Sequence, residues 1–107
     1  FKIFKDNILI SSGGRMYSAV SPGSSGSYMV FDGNLISGVD QPIYLWGQGH
    51  IICNNKTDYD VATSSGNRLG YMGCDNSVIS GNVGSPTFRV GTSGNQASAN
   101  FPQVTLP

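Results

Sequence analysis

Apolar and aromatic residues come in short runs along this chain, broken every few positions by residues suited to φ > 0. Five stretches read as strand, turn and returning strand. The first is Phe1 to Ser11, with Asp6-Asn7 at its turn, and the second is Tyr28 to Ser37, turning at Asp32-Gly33. The third, Ile43 to Asn54, turns through Gly47-Gln48-Gly49, and the fourth, Tyr71 to Ser80, turns at Asp75-Asn76. A fifth, Phe88 to Ser98, is degenerate in its returning arm. The arms are β-branched and aromatic, and Asp-Gly is among the strongest short hairpin signals, so the pattern predicts repeated β-hairpins.

The hairpins nest in a longer period. Phe1, Ile3, Phe4 and Asn7 stand 42 positions before Ile43, Leu45, Trp46 and Gly49, and Tyr17 stands 42 before Tyr59. Tyr28-Met29, Asp32 and Ile36-Ser37-Gly38 precede Tyr71-Met72, Asp75 and Ile79-Ser80-Gly81 by 43. The chain therefore reads as one repeat-built domain over 1–107, with units at about 1–42 and 43–87 and a partial one at 88–107. Long connectors, Gly13 to Ser27 and Asn55 to Gly70, are expected to hold a short strand near Tyr17 and near Tyr59. Pro42 and Pro86 each precede a hairpin, where a residue without an N–H fits a chain entering a sheet.

Composition narrows the class. With 15 Gly, no Glu and little Ala, the chain has almost no helix-forming material. Only 11% of residues are charged and six Lys/Arg balance six Asp, so no basic footprint for nucleic acid is present. No apolar run approaches the ~20 residues of a membrane helix. The opening FKIFK does not read as a signal peptide, and the chain reads as a piece of something longer. Cys53 and Cys74 lie in different copies of the repeat, and the reading favours free thiols over a disulfide.

An isolated two-stranded hairpin is marginal in water, so units of this size must stack on one another or on other chains. A propeller needs at least four blades, more than this period supplies here. A rod fits better: an intertwined homotrimer, triple-stranded and β-helix-like, with Ile36, Ile52 and Ile79 repeating at its axis and Ser, Asn and Gly outside. Closure about an axis also removes most exposed strand edges.

At this point the chain resembles the stalks of bacteriophage tail fibres and tailspikes. The likeness lies in the alternation of aromatic-x-apolar arms, Asp/Gly-Asn turns and Ile-Ser returns with Gly/Ser connectors from Phe1 to about Asn100. It is greatest to the intertwined triple-β stalks of endosialidase-type tailspikes. The resemblance implies a homotrimer at the virion tail, assembled in the host cytoplasm and acting outside it. Such a protein would adsorb to bacterial surface polysaccharide. The chain departs from a complete tailspike in lacking a catalytic propeller, a long parallel β-helix and a C-terminal chaperone segment.

Few residues suggest chemistry, and no catalytic residue or cofactor is assigned. Tyr17, Arg15, Tyr59 and Arg68 in the long connectors, with Trp46, are the candidate carbohydrate contacts, because aromatic rings can stack on the C–H face of a sugar. Of Tyr44 and Trp46 one is expected to face the core, and aromatics at equivalent positions (Phe4, Phe31, Trp46) read first as core. His50, the only histidine, becomes three at a trimer axis and is a weak metal candidate. Asp58 and Asp60 share a strand face and are the other weak metal candidates. Asp6, Asp32 and Asp75 read as turn residues. Two alternatives stay open. One is a polysaccharide depolymerase, glycosidase or lyase, borrowing Asp58 or Asp60 across a subunit boundary. The other is a trimeric jelly-roll carbohydrate-binding knob.

Overall fold

The apolar runs form strands, and among the described residues none of them returns on its neighbour. A computed structural model of the chain describes residues 2–11, 16–20 (backbone only), 27–58 and 69–107. In order, the strands are β1 (Lys2–Lys5), β2 (Ile8–Ile10), β3 (Met16–Val20), β4 (Met29–Asp32), β5 (Leu35–Ser37) and β6 (Val39–Gln48). There follow β7 (Ile51–Cys53), β8 (Lys56–Thr57), β9 (Gly70–Asp75), β10 (Val78–Ser80), β11 (Pro86–Phe88) and β12 (Gln96–Ser98). No helix occurs among the described residues, as the composition requires.

Every strand pair is parallel. The first sheet runs β1-β4-β7-β10-β12, the second β2-β5-β8 and the third β3-β6-β9-β11. The chain visits the three sheets in turn and then begins the next rung, so the molecule is a short parallel β-helix built by one chain. Equivalent positions on successive rungs stand 27, 21, 27 and 18 residues apart.

This corrects the hairpin prediction. The two arms of each predicted hairpin lie in different sheets, and their ladder partners are a whole rung away. A β-helix corner and a hairpin turn both demand a residue at φ > 0, so the local signal is the same for both. The 42-residue offset also loses its structural meaning. Residues 2–7 turn from the first sheet into the second, whereas residues 44–49 turn from the third into the first. The offset matched two different corners that share one chemistry. In place of the long parallel β-helix of a complete tailspike, the chain forms a short one of its own.

Both corners are built the same way. Between the first and second sheets, Asp6, Gly33, Asn54, Gly81 and Ala99 occupy one column at φ 55°, 71°, 57°, 69° and 56°. Each of the first four donates its backbone N–H to a carbonyl of the following rung, at 3.0–3.1 Å. Side chains alternate along this column for a steric reason: a Cβ on Gly33 would meet Asp6 Oδ1 at 2.5 Å, and one on Gly81 would meet Asn54 Oδ1 at 2.6 Å. Residues with side chains fold over the glycine of the next rung.

The position after that column is Asn on all five rungs: Asn7, Asn34, Asn55, Asn82 and Asn100. Each Oδ1 from Asn34 onward accepts two bonds from the preceding Asn, one from its backbone N–H and one from its Nδ2, at 2.8–3.1 Å. The other Nδ2 hydrogen goes to a strand carbonyl, Asn34 to Phe4, Asn55 to Phe31, Asn82 to Ile52 and Asn100 to Ile79, at 2.9–3.0 Å. Asn34, Asn55 and Asn82 are buried, and a buried amide needs these partners. Only a side chain with both a carbonyl and an NH₂ can take part in such a column.

Inward-facing residues stack rung on rung. Phe4, Phe31, Ile52 and Ile79 form one column, with Phe4 and Phe31 rings 6.1 Å apart. Ile36 packs from the second sheet and Ile43, Leu45 and Met72 from the third, all fully buried. Ile36, Ile52 and Ile79 do line an axis, but it is the axis of this chain's own solenoid. The rungs bury one another's apolar faces within the one chain.

Candidate functional site

Structural hydrogen bonds engage two of the residues expected to carry chemistry, His50 and Asp58. His50 is buried at the corner between the third and first sheets. Its Nδ1 accepts from the Met29 backbone N–H at 3.2 Å, and its Nε2 lies 2.6 Å from the Trp46 carbonyl. These two contacts suit the tautomer that carries its proton on Nε2. Ser77 and Asn95 take the same place on the next rungs: Ser77 Oγ accepts from His50 N–H at 3.0 Å, and Asn95 Oδ1 accepts from Ser77 N–H at 2.9 Å. His50 is therefore the histidine member of a second corner ladder, with both nitrogens engaged, and it is not a metal ligand. Asp58 Oδ2 accepts from the Gly38 N–H at 3.2 Å, which ties it to a corner. No group of three or more His, Cys, Asp or Glu side chains able to hold a metal occurs among the described residues.

Arg15, Tyr59, Asp60 and Arg68 lie outside the described residues, as does the side chain of Tyr17, whose backbone belongs to β3. Of the carbohydrate candidates, Trp46 alone has a described surrounding. Tyr44 and Trp46 are two apart in β6 and share one face, which is the outer one. The expectation that one of them faces the core is corrected. Phe4 and Phe31 do face inward, so the aromatic positions treated as equivalent divide between the two sides.

Stacking of β6 on β9 brings Tyr71 beside both rings. Tyr44 and Tyr71 stack with centroids 5.0 Å apart and planes inclined by 19°, and Trp46 lies 5.7 Å from Tyr71. Gly73 is Trp46's ladder partner, and a Cβ there would come within 2.8 Å of the indole Cε3. The missing side chain gives the indole its resting place. Just past the end of β11, the Arg89 guanidinium lies over the indole, 4.8 Å from the ring centroid. Three aromatic rings and a cation thus occupy neighbouring positions on the outer face of the third sheet.

Beside this cluster is an open cleft of about 230 Å³ lined by Gly73, Asp75, Arg89, Val90, Gly91 and Thr92. A larger one of about 300 Å³ near the C-terminus, lined by residues such as Ala97, Ser98, Gln103 and Val104, has no charged or aromatic wall. The cleft beside Trp46 therefore has the better chemistry despite its smaller size. Its wall offers a cation, a carboxylate and a hydroxyl, and the aromatic cluster lies next to it, a set that suits a polar ligand with an apolar C–H face.

A second outer feature is aliphatic. Ile3, Val30, Ile51 and Val78 form one column on the outer face of the first sheet, and Ile8 stands beside Leu35 on the second. Ile3, Ile8 and Ile10 are 60%, 69% and 67% exposed, well beyond what a scattered surface aliphatic needs to be explained. Cys53 and Cys74 are both free, as read from the sequence. Burial pushes the Cys74 thiol pKa up. Partial burial, then the nearby Asp32 carboxylate, raises that of Cys53.

Sequence reasoning missed Tyr71 and Arg89 as partners of Trp46, and Asp75 on the wall of the neighbouring cleft. The signal that finds Tyr71 and Asp75 is the 27-residue rung spacing, which places Tyr71 against Tyr44, Gly73 against Trp46 and Asp75 against Gln48. Comparison with protein-family models, curated proteins and solved structures returned no match.

Proposed function

We propose that this chain is a shaft segment of a bacteriophage tail fibre or tailspike that holds bacterial surface polysaccharide on the outer face of its third sheet. The observation that carries the reading is the cluster of Tyr44, Trp46 and Tyr71 with Arg89 on that face. Half-exposed aromatic rings fixed on a rigid sheet stack on sugars with little loss of side-chain freedom. Polysaccharide adsorption at a host surface needs weak contacts repeated many times, and a homotrimer supplies three copies of the face.

In this reading the copies meet side by side, since each chain satisfies its own ladders. The aliphatic column of Ile3, Ile51 and Val78, with Ile8 and Leu35, supports such a contact. Two unpaired thiols fit assembly in a reducing cytoplasm before release to the exterior.

Affinity electrophoresis in gels containing bacterial capsular or lipopolysaccharide glycans tests the binding, and light scattering tests the assembly. The expected results are retardation lost in the Tyr44→Ala, Tyr71→Ala double variant and a mass three times that of the chain. A monomer at all concentrations ends the trimeric part, and unretarded migration in every glycan ends the adsorption part.

A further inference from the structure

We propose that the cleft beside Trp46 takes a carboxylate-bearing sugar unit, with Arg89 as the residue that holds its carboxylate. This rests on the carbohydrate reading and specifies the class of sugar. Two observations point to it independently: the state of Arg89 and the composition of the cleft it borders.

Arg89 is held in place and yet unspent. Its backbone N–H donates to the Met72 carbonyl at 3.0 Å, and its own carbonyl accepts from the Thr92 N–H at 3.3 Å and from Thr92 Oγ1–H at 3.1 Å. The guanidinium carbon lies over the indole, 4.8 Å from the ring centroid, a contact that uses none of the group's N–H donors. No ion pair engages it among the described residues. A planar fork with free donors, placed over a ring at the rim of a cleft, can recognise a carboxylate by two parallel hydrogen bonds.

Asp75 on the cleft wall is committed differently. Its Oδ1 already accepts from the Ser93 N–H at 2.8 Å. The remaining oxygen can accept from a sugar hydroxyl, and its charge turns a ligand carboxylate away from that wall and toward Arg89. Thr92 Oγ keeps its lone pairs for a further hydroxyl, because its proton is used on the Arg89 carbonyl. A hexuronate unit presents a carboxylate, hydroxyls and a C–H face in one ring. The carboxylate and hydroxyls meet counterparts on the cleft wall, in Arg89 and in Asp75 with Thr92, and the aromatic cluster beside the cleft faces the C–H surface.

The probe is an α-linked oligogalacturonate titrated against the whole chain, with emission from Trp46, the sole tryptophan, as readout. Its methyl ester, neutral dextran and dextran sulfate complete the series. The expected outcome is binding to oligogalacturonate at least about tenfold tighter than to the ester or to either dextran, as loss of a charged bidentate pair implies. Arg89→Ala should remove that preference. Arg89→Lys should lose most of it while keeping the charge, with circular dichroism unchanged in both. Equal affinity for the acid and its ester refutes carboxylate recognition and leaves the carbohydrate reading standing. Equal or tighter binding of dextran sulfate shows attraction to charge alone and also overturns it. An Arg89→Ala variant that keeps the preference removes Arg89 from the role. Binding to none of the four glycans, together with unretarded migration in bacterial glycan gels, ends both readings.

Discussion

Replacing Asn55 by Ala removes the middle of the five-rung asparagine column, and the structure shows what is left behind. Asn55 Oδ1 accepts from Asn34 N–H at 3.1 Å and Asn34 Nδ2 at 2.8 Å, while its Nδ2 donates to the Phe31 and Asn82 oxygens at 3.0 Å each. After the change, Asn34 Nδ2 still reaches the Phe4 carbonyl and Asn82 Oδ1 still receives the residue 55 N–H. The Asn34 backbone N–H and the Phe31 carbonyl lose their bonds to this side chain at buried positions. Stranding a buried polar group costs about 1–3 kcal/mol, so the variant should lose about 2–6 kcal/mol. Against a typical stability of about 5–15 kcal/mol that is a large shift in the urea midpoint. Asn100→Ala is the control, since Asn100 sits on the last described rung, is only partly buried, and leaves groups that water can reach. It should cost about 1 kcal/mol. Urea melts followed by Trp46 emission and by far-ultraviolet circular dichroism check both. Asn55→Ala melting within about 0.5 kcal/mol of Asn100→Ala would mean that burial of the column does not set its worth, and the argument would fail.

Other outcomes follow from the same geometry. His50→Asn should be tolerated within about 1 kcal/mol, because Asn95 already serves the ladder two rungs on, whereas His50→Leu should cost about 1–3 kcal/mol by stranding the Met29 N–H; thermal melts separate the two. Gly73→Val should displace the indole from its resting place, shift Trp46 emission and cost about 1–3 kcal/mol; an unchanged emission spectrum contradicts the packing described. Cys74 has a folded-state pKa raised by burial, so the unfolded chain ionises first as pH rises past the ordinary thiol value of 9.0. Its contribution is fully present below that value and declines above it toward the raised folded value. The loss of stability above pH 9.0 should be shallower in Cys74→Ala, measured as the difference between two urea series.

The corner residues show how far local reading goes. Asp6-Asn7, Gly33-Asn34, Asn54-Asn55, Gly81-Asn82 and Ala99-Asn100 are five dipeptides with one conformation, and the first three lie in stretches marked as turns or strand ends. Their recurrence at 27, 21, 27 and 18 residues was legible, yet uneven spacing hid it behind an offset of 42 that fits no rung. An asparagine that repeats in one place without tolerance for Ser or Asp is a signal for a stacked amide column, and it separates a solenoid from a hairpin. Arg89 carried no such signal, since its partner Trp46 lies 43 residues earlier and meets it only across Gly73.

Strand content, the lack of helix, the positions of the turns and the apolar residues that fill the core were all set by short-range chemistry: β-branched and aromatic runs, residues that accept φ > 0, and alternation at a period of two. What those strands pair with is a long-range choice. Reversal and a bent corner use the same backbone conformations, so the decision falls to whether stacked rungs bury more apolar surface and satisfy more amides than a returning arm would. In this chain the parallel stack wins, because the asparagines, Ser77 and His50 find partners only one rung away. That same stacking, and nothing local, brought Tyr44, Trp46, Tyr71 and Arg89 onto one surface.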